Sequence, residues 1–295
     1  VHYILYHDEF EQNFQCKWGV LSYLNPEDDI KLRTYNYFCK LDPDTLEILS
    51  STEIDTSKND IEPIWEFIGL EDVRIFRWEG QLYASGVRRD VKDNGEGRIE
   101  LCKLDVKPNG VIEATRDRVE VDPHTHLEKN WMPILDMPFH FVRWCNPLEI
   151  IKINPNNRSK QKVAKGIINI IDSEVVIKND DKLNLPLGLR GSSQVIPFGD
   201  NGDRICVTHE THFFWHQNKK KDAHYYHRFV IWDKDWKVKK VSEQFKFMDA
   251  MIEFACGLII KDDNFIISYG YQDNAAYALK MPIKLLDELK WDVYE

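Results

Sequence analysis

Turn-then-strand segments recur along this chain at a nearly constant interval, and that interval limits the available folds more than any other feature. GQLYASGVRR, MPFHFVRWCN, DRICVTHETH and NFIISYGYQD each place a turn before an apolar run that closes on polar residues. Tyr83, Phe141, Val207 and Ile267 hold equivalent places, with steps of 58, 66 and 60 residues. One interval earlier lies KWGVLSYL, around Val20. Five units of about 59 residues fill the 295-residue chain, close to a four-stranded blade with generous loops. The spacing predicts an all-β fold, a five-bladed β-propeller, with residues 1–295 as a single domain. A two-sheet sandwich of unequal strands is the competing arrangement, because the units share a pattern and not identical residues.

Helical patterns are scarce. A weak one covers Ile61–Ile68, and IKLLDELKW, Ile283–Trp291, predicts a short C-terminal helix. Elsewhere short β-branched and aromatic runs are punctuated by turn signals: Gly80-Gln81, Asn109-Gly110, Asn201-Gly202 and Asp262-Asp263. The lysines at 219–221 read as a solvated hairpin tip.

Hydrophobic residues make up 43% of the chain and charged residues 30%, which is a folded globular composition. The net charge of -10 argues against a nucleic-acid or anionic-membrane partner, since both are held by basic patches. VHYILYHDEF lacks the basic flank and long apolar run of a signal peptide, and no window is apolar for long enough to span a membrane. Cys16, Cys39, Cys102, Cys145, Cys206 and Cys256 form no C-x-x-C pair, so free thiols in the cytoplasm are expected over a zinc cluster; secretion with disulfides is the alternative. The chain starts with Val, as a domain cut from a longer multi-module protein would.

In a propeller the inner strands surround a channel, and their ends deliver side chains from different blades to one funnel. The polar residues closing the apolar runs are then expected to converge: Arg88, Arg89, Arg143, His209, Glu210, Tyr269 and Asp273. GLEDVRIF, Gly69–Phe76, spends three charges in four positions of an apparent strand. On a regular strand Asp72 and Arg74 share a face and Glu71 takes the other. That face presents a carboxylate beside a guanidinium, either lining a pocket or as a structural pair closing a loop.

GLEDVRIF followed by GQLYASGV resembles the GxEDPRI signature of the five-bladed propeller family of β-mannoside phosphorylases and hydrolases and their β-mannosyltransferase relatives. EKNWMPI with FHFVRW, RGSSQVIPFGDNGDRICVTHE with YYHRFVIWD, and EFACGLIIKDDNFIISYGYQDNAAYAL resemble later segments of that family, in order, across roughly residues 65 to 280. Val73 stands where the family has proline, and its arginine-rich phosphate segments are not cleanly reproduced, which favours glycosyl transfer over phosphorolysis.

The resemblance implies that Asp72 is the catalytic carboxylate. It would act as acid in breaking a glycosidic bond, or as base on an acceptor hydroxyl in the synthetic direction. A cation as near as Arg74 lowers a carboxylate's pKa and favours the base. Lys129, with neighbouring Asn130, and Arg88, Arg89, Arg143 and Arg190 are the candidates to hold a phosphate or nucleotide diphosphate. His209 and Glu210 at a strand end, Tyr226 on the next strand, and Glu253, Tyr269 and Asp273 in the closing unit are expected to contact sugar. Trp131, Trp144 and Trp215 could stack on sugar faces or fill the core. The histidines at 209, 212, 216, 224 and 227 lack the H-E-x-x-H spacing, and Asp42-Pro43-Asp44 reads as a turn, so neither metal nor other cofactor is expected. The expected partners are a nucleotide-sugar or sugar-phosphate donor and an oligosaccharide or glycan acceptor. A phosphorylase, a hydrolase and a non-catalytic carbohydrate-binding propeller are the alternatives. An inverting hydrolase would need a second carboxylate about 6.5–9.5 Å from the first, for which Glu210 and Glu253 are the candidates.

Overall fold

The computed structural model describes residues 32–179, 188–215 and 221–294. The expected first unit around Val20, Cys16, His216 and the lysines at 219 and 220 lie outside the described residues. Among the described residues the fold is all-β with almost no helix. No helix among the described residues is long and apolar enough to cross a membrane.

Four antiparallel units follow one another. The first runs Leu70–Trp78, Gln81–Arg88, Arg98–Lys107, Gly110–Glu120. The second runs Met132–Pro133, His140–Cys145, Leu148–Val163, Gly166–Asn179. In the third, the short strands Arg190–Gly191 and Ile196–Phe198 both pair with Asp203–Trp215, followed by Lys221–Trp232, Val238–Ser242 and finally Trp291–Val293. The fourth is Glu253–Lys261, Asn264–Tyr271, Ala275–Pro282. Ahead of them lies a hairpin, Tyr37–Leu41 with Ile48–Asp55. Tyr83, Phe141, Val207 and Ile267 all fall on the strand that follows each unit's opening strand or strands, so the sequence interval counts equivalent strands. The four turn signals sit at hairpin connections. Glu79 and Gly80 take φ of 49° and 77°, the left-handed geometry that suits a two-residue turn between twisted strands.

Strands inside these units carry apolar residues on both faces because each sheet is covered on both sides. In the second unit Ile150 and Val142 face the third unit, while Ile151 and Phe141 face the first. In the third, Cys206 and Val230 face the second unit, while Val207, Phe229 and Ile231 face the fourth. Leu82, Cys102 and Val111 of the first unit cover Phe38 and Ile54 of the hairpin. Lys261 of the fourth unit returns to that hairpin through an ion pair with Asp44 at 2.6 Å. The contacts therefore close a cycle. Its middle is crossed by hydrogen bonds between opening strands. Gln194 donates to the Ile75 carbonyl at 2.6 Å and accepts from the Leu258 amide at 2.8 Å, and Trp78 Nε1 donates to the Ile134 carbonyl.

Of the two helical expectations, the first fails and the second is met in a shorter, tighter form. Residues 61–68 form no helix; Phe67–Ile68 pair in parallel with Leu32–Arg33, and the Ile64 amide bonds the Asp90 carbonyl. Pro63 lacks an amide for a helical ladder there. The C-terminal helix is a six-residue 3-10 segment, Ile283–Glu288, with no side-chain cap. Leu286 anchors it in the core between the third and fourth units, and Trp291 then rejoins a sheet.

Candidate active site

GLEDVRIF opens the first unit, and it is not a regular strand. Its register against Gln81–Arg88 shifts between Glu71 and Arg74, and Asp72 lies at φ 54°. The expectation that Asp72 and Arg74 share a face by simple alternation is therefore corrected: a bulge re-aims this stretch. Gly86 on the partner strand makes room for it, since a Cβ there would stand 2.5 Å from the Glu71 carbonyl and 2.9 Å from Leu70 Cγ. Arg74 is 2% exposed. Its guanidinium donates to the Ser192 carbonyl at 2.7 Å, to the Asp72 backbone carbonyl, and to Asn130 Oδ1 at 3.4 Å, and it lies 5.4 Å from the Phe254 ring centroid. One side chain thus ties together the opening strands or loops of all four units.

His209 stands next to this cluster, 3% exposed, with Nδ1 2.8 Å from Ser192 Oγ. It stacks on Tyr225 at 5.7 Å and meets the Phe254 ring edge-on at 4.9 Å. Burial, followed by the fields of His227, Arg74, Lys129 and Arg190, holds its pKa well below the usual imidazole range, so the ring is neutral near pH 7. Burial pushes the Tyr225 phenol up, the carboxylates of Asp273 and Asp72 push it further, and Arg190 opposes them. Two carboxylates and three cations from separate parts of the chain therefore act on one adjacent pair of rings. Asp72, Asn130 and Asp273 all sit at positive φ, 54°, 65° and 50°. Non-glycine residues held in that region cluster at functional sites.

Asp72, Arg74, Lys129, Asn130, Arg190, His209 and Asp273 are thus brought together; seven other expected residues are not. Arg89 donates to the Gly95 carbonyl at 3.2 Å and lies over the Phe67 ring. Arg88 is buried in a separate ion network with Asp90 and Glu100. Arg143 is held by both oxygens of Glu128 and by Glu149. Glu210 points to the opposite face from His209, where Arg228, Gln244 and His212 engage it. Tyr226 pairs with Glu210 across the hairpin and packs on Lys246 and His212. Glu253 is fully buried and accepts the amides of Phe247, Met248 and Ala250. Tyr269 stacks on Phe247 in the core.

Ser192, Tyr225 and Phe254 were missed. In the Tyr225-Tyr226 pair only the register could choose: Tyr225 lies opposite Thr211, two positions from His209 and so on its face. Of the tryptophans, Trp131 is buried with Nε1 on Glu128, Trp144 lies beneath Arg143 and Arg190 at 5.7 and 5.8 Å, and Trp215 is exposed. The described histidines separate: His212 and His224 lie on the Glu210 side, and His227 is fully buried, its pKa lowered to about 3 by burial. Asp42 accepts the amides of Asp44 and Thr45 in a turn. A cavity of about 590 Å³ opens elsewhere, between the hairpin and the first unit; Arg88, Asp90 and Arg116 line it and Asp72 does not. The convergence of side chains, not that cavity, marks the candidate site.

No protein-family model matches the chain, and no curated protein matches it in sequence. Among solved structures the chain is similar to a mannose phosphorylase from Leishmania mexicana in complex with phosphate ion, at 10% identity and a TM-score of 0.36, covering 80% of this chain and 93% of that one. It is also similar to a GDP-Man-dependent mannosyltransferase from Leishmania mexicana, at 14% identity and a TM-score of 0.37, covering 76% of this chain and 72% of the other.

Proposed function

We propose that the cycle of sheets is a five-bladed β-propeller, and that the chain is an inverting glycosyltransferase using a phosphate-activated sugar donor and a carbohydrate acceptor. The observation that carries this reading is the meeting of Asp72, Asn130, Ser192 and Phe254, from all four units, at Arg74, beside a His209 that contacts Ser192 and Tyr225 and pairs across the ladder with Arg190. In the proposed step the Asp72 carboxylate takes the proton of an acceptor hydroxyl. The acceptor oxygen attacks the anomeric carbon from the face opposite the leaving group. The bond to the phosphate oxygen breaks with its electron pair, and the developing charge is met by Lys129 and Arg190. The Tyr225 phenol, kept protonated, and the neutral His209 can donate to sugar oxygens, and Asp273 can accept from sugar hydroxyls. With fixed cations at the leaving group, the step needs no divalent metal, so chelation with EDTA is expected to leave the rate unchanged.

Phosphorolysis would use the same site in reverse, with Asp72 as acid. Hydrolysis is less well supported, because Glu210 and Glu253, the carboxylates expected to activate water, are engaged away from the site. A thermal-shift screen of nucleotide sugars and sugar 1-phosphates tests the reading. A donor at 100 times its dissociation constant stabilises the fold by about 2.7 kcal/mol, and glycoside product should then form only with a carbohydrate acceptor. Sugar 1-phosphate released from a β-mannoside and inorganic phosphate would replace transfer with phosphorolysis. Sugar binding without turnover would leave a binding propeller.

A further inference from the structure

The hairpin Asp203–Trp215 with Lys221–Trp232 continues past the candidate site into solvent. Its register is unbroken from Arg204↔Trp232 to Trp215↔Lys221. Residues 205, 207, 209, 211, 213 and 215 therefore share one face with 231, 229, 227, 225, 223 and 221. The inner end of that face is core, where Ile205, Val207, Phe229 and Ile231 pack on the fourth unit. The middle is the site, His209 stacked on Tyr225. The outer end holds Phe213 and Trp215, 61% and 67% exposed. One strand face thus runs from core, through site, to two solvent-facing aromatic rings in line.

We infer that this outer face is an acceptor track, on which successive rings of an oligosaccharide stack as the chain leaves the site. The inference rests on the transferase reading above and narrows its acceptor to a chain of sugars. Two features select a neutral sugar chain over the donor's nucleotide. From Thr211 to Phe213 the residues on the face, Thr211, Phe213, Ala223 and Tyr225, are uncharged, with Lys221 opposite Trp215 at its outer end, whereas the cations Arg190 and Lys129 act back at His209. Four residues of strand also extend the platform about 13 Å beyond Thr211, a length that suits several rings in sequence. Aromatic rings of this kind offer large rigid apolar area at low entropic cost. Ala223, opposite Phe213, adds no bulk to the platform.

The test compares Trp215→Ala, Phe213→Ala and Trp215→Phe with the wild type, using a neutral mannan-type trisaccharide and the matching monosaccharide as acceptors. The track predicts that the wild type prefers the trisaccharide in kcat/KM by tenfold or more. Trp215→Ala should cut that preference at least fivefold through the trisaccharide KM, Phe213→Ala should lower it too, and Trp215→Phe should restore most of it. An unchanged preference, or a raised KM for the nucleotide donor instead, overturns the inference. Tryptophan fluorescence titrated with the trisaccharide alone separates the two levels. Binding that quenches the wild type and is lost in Trp215→Ala supports the track even if no transfer occurs, and no binding by any variant or the wild type rejects it.

Discussion

His227 shows at the scale of one residue how burial sets behaviour. It is fully enclosed, Nε2 accepts the Ala255 amide at 3.3 Å, and its pKa is lowered to about 3. Above pH 6.5 the ring is neutral in both folded and unfolded chains and the stability is complete. As pH falls below 6.5 the unfolded chain gains a proton that the folded one refuses, so stability falls by about 1.4 kcal/mol per pH unit for this group until about pH 3. His209, lowered by the same cause, adds to the slope. Denaturant melts from pH 7 to 4 should show this loss, and His227→Gln should flatten it; equal slopes in the variant and wild type would contradict the account. The proximity of Asp72, Lys129, His209 and Asp273 was legible because their chemistry singles them out. It was illegible where only facing decides. Tyr226 in place of Tyr225 is an error of one position, which on a strand exchanges one face for the other.

At the scale of elements, Gln194 and Gly86 hold the site's strands in place. Gln194 satisfies a carbonyl of the first unit and an amide of the fourth with one side chain. Gln194→Leu leaves both without that partner, at about 1–3 kcal/mol for each buried group, and is expected to lower the melting temperature while also reducing turnover. Unchanged melting would show that the bridge is not structural. Gly86→Ala pushes on the Glu71 carbonyl and should disturb the bulge at Asp72, lowering kcat tenfold or more with a smaller effect on stability; wild-type kcat would contradict that role. Turns were readable because NG and DD pairs carry their own backbone preference. The bulge at Asp72 was not, because it is set by the glycine across the ladder rather than by its own residues. The apparent helix over 61–68 failed for the opposite reason: a local apolar pattern was outweighed by Pro63 and by pairing with a distant strand.

At the scale of the molecule, the repeat interval carried most of the fold, because each unit must bury both sheet faces against its neighbours and so repeats its apolar pattern. What it did not reveal is which strand edges face one another. Contacts among Arg74, Ser192, Asn130 and Phe254 join residues as much as 180 positions apart, and no local pattern encodes them. The central claim is that this convergence makes Asp72 the working carboxylate. The most direct measurement is steady-state transfer from the activating donor by Asp72→Asn, alongside its melting curve. The account predicts kcat lower by about 10²–10⁴-fold, with donor KM within a few-fold of wild type and an unchanged fold. Transfer at the wild-type rate by a folded Asp72→Asn protein would contradict it.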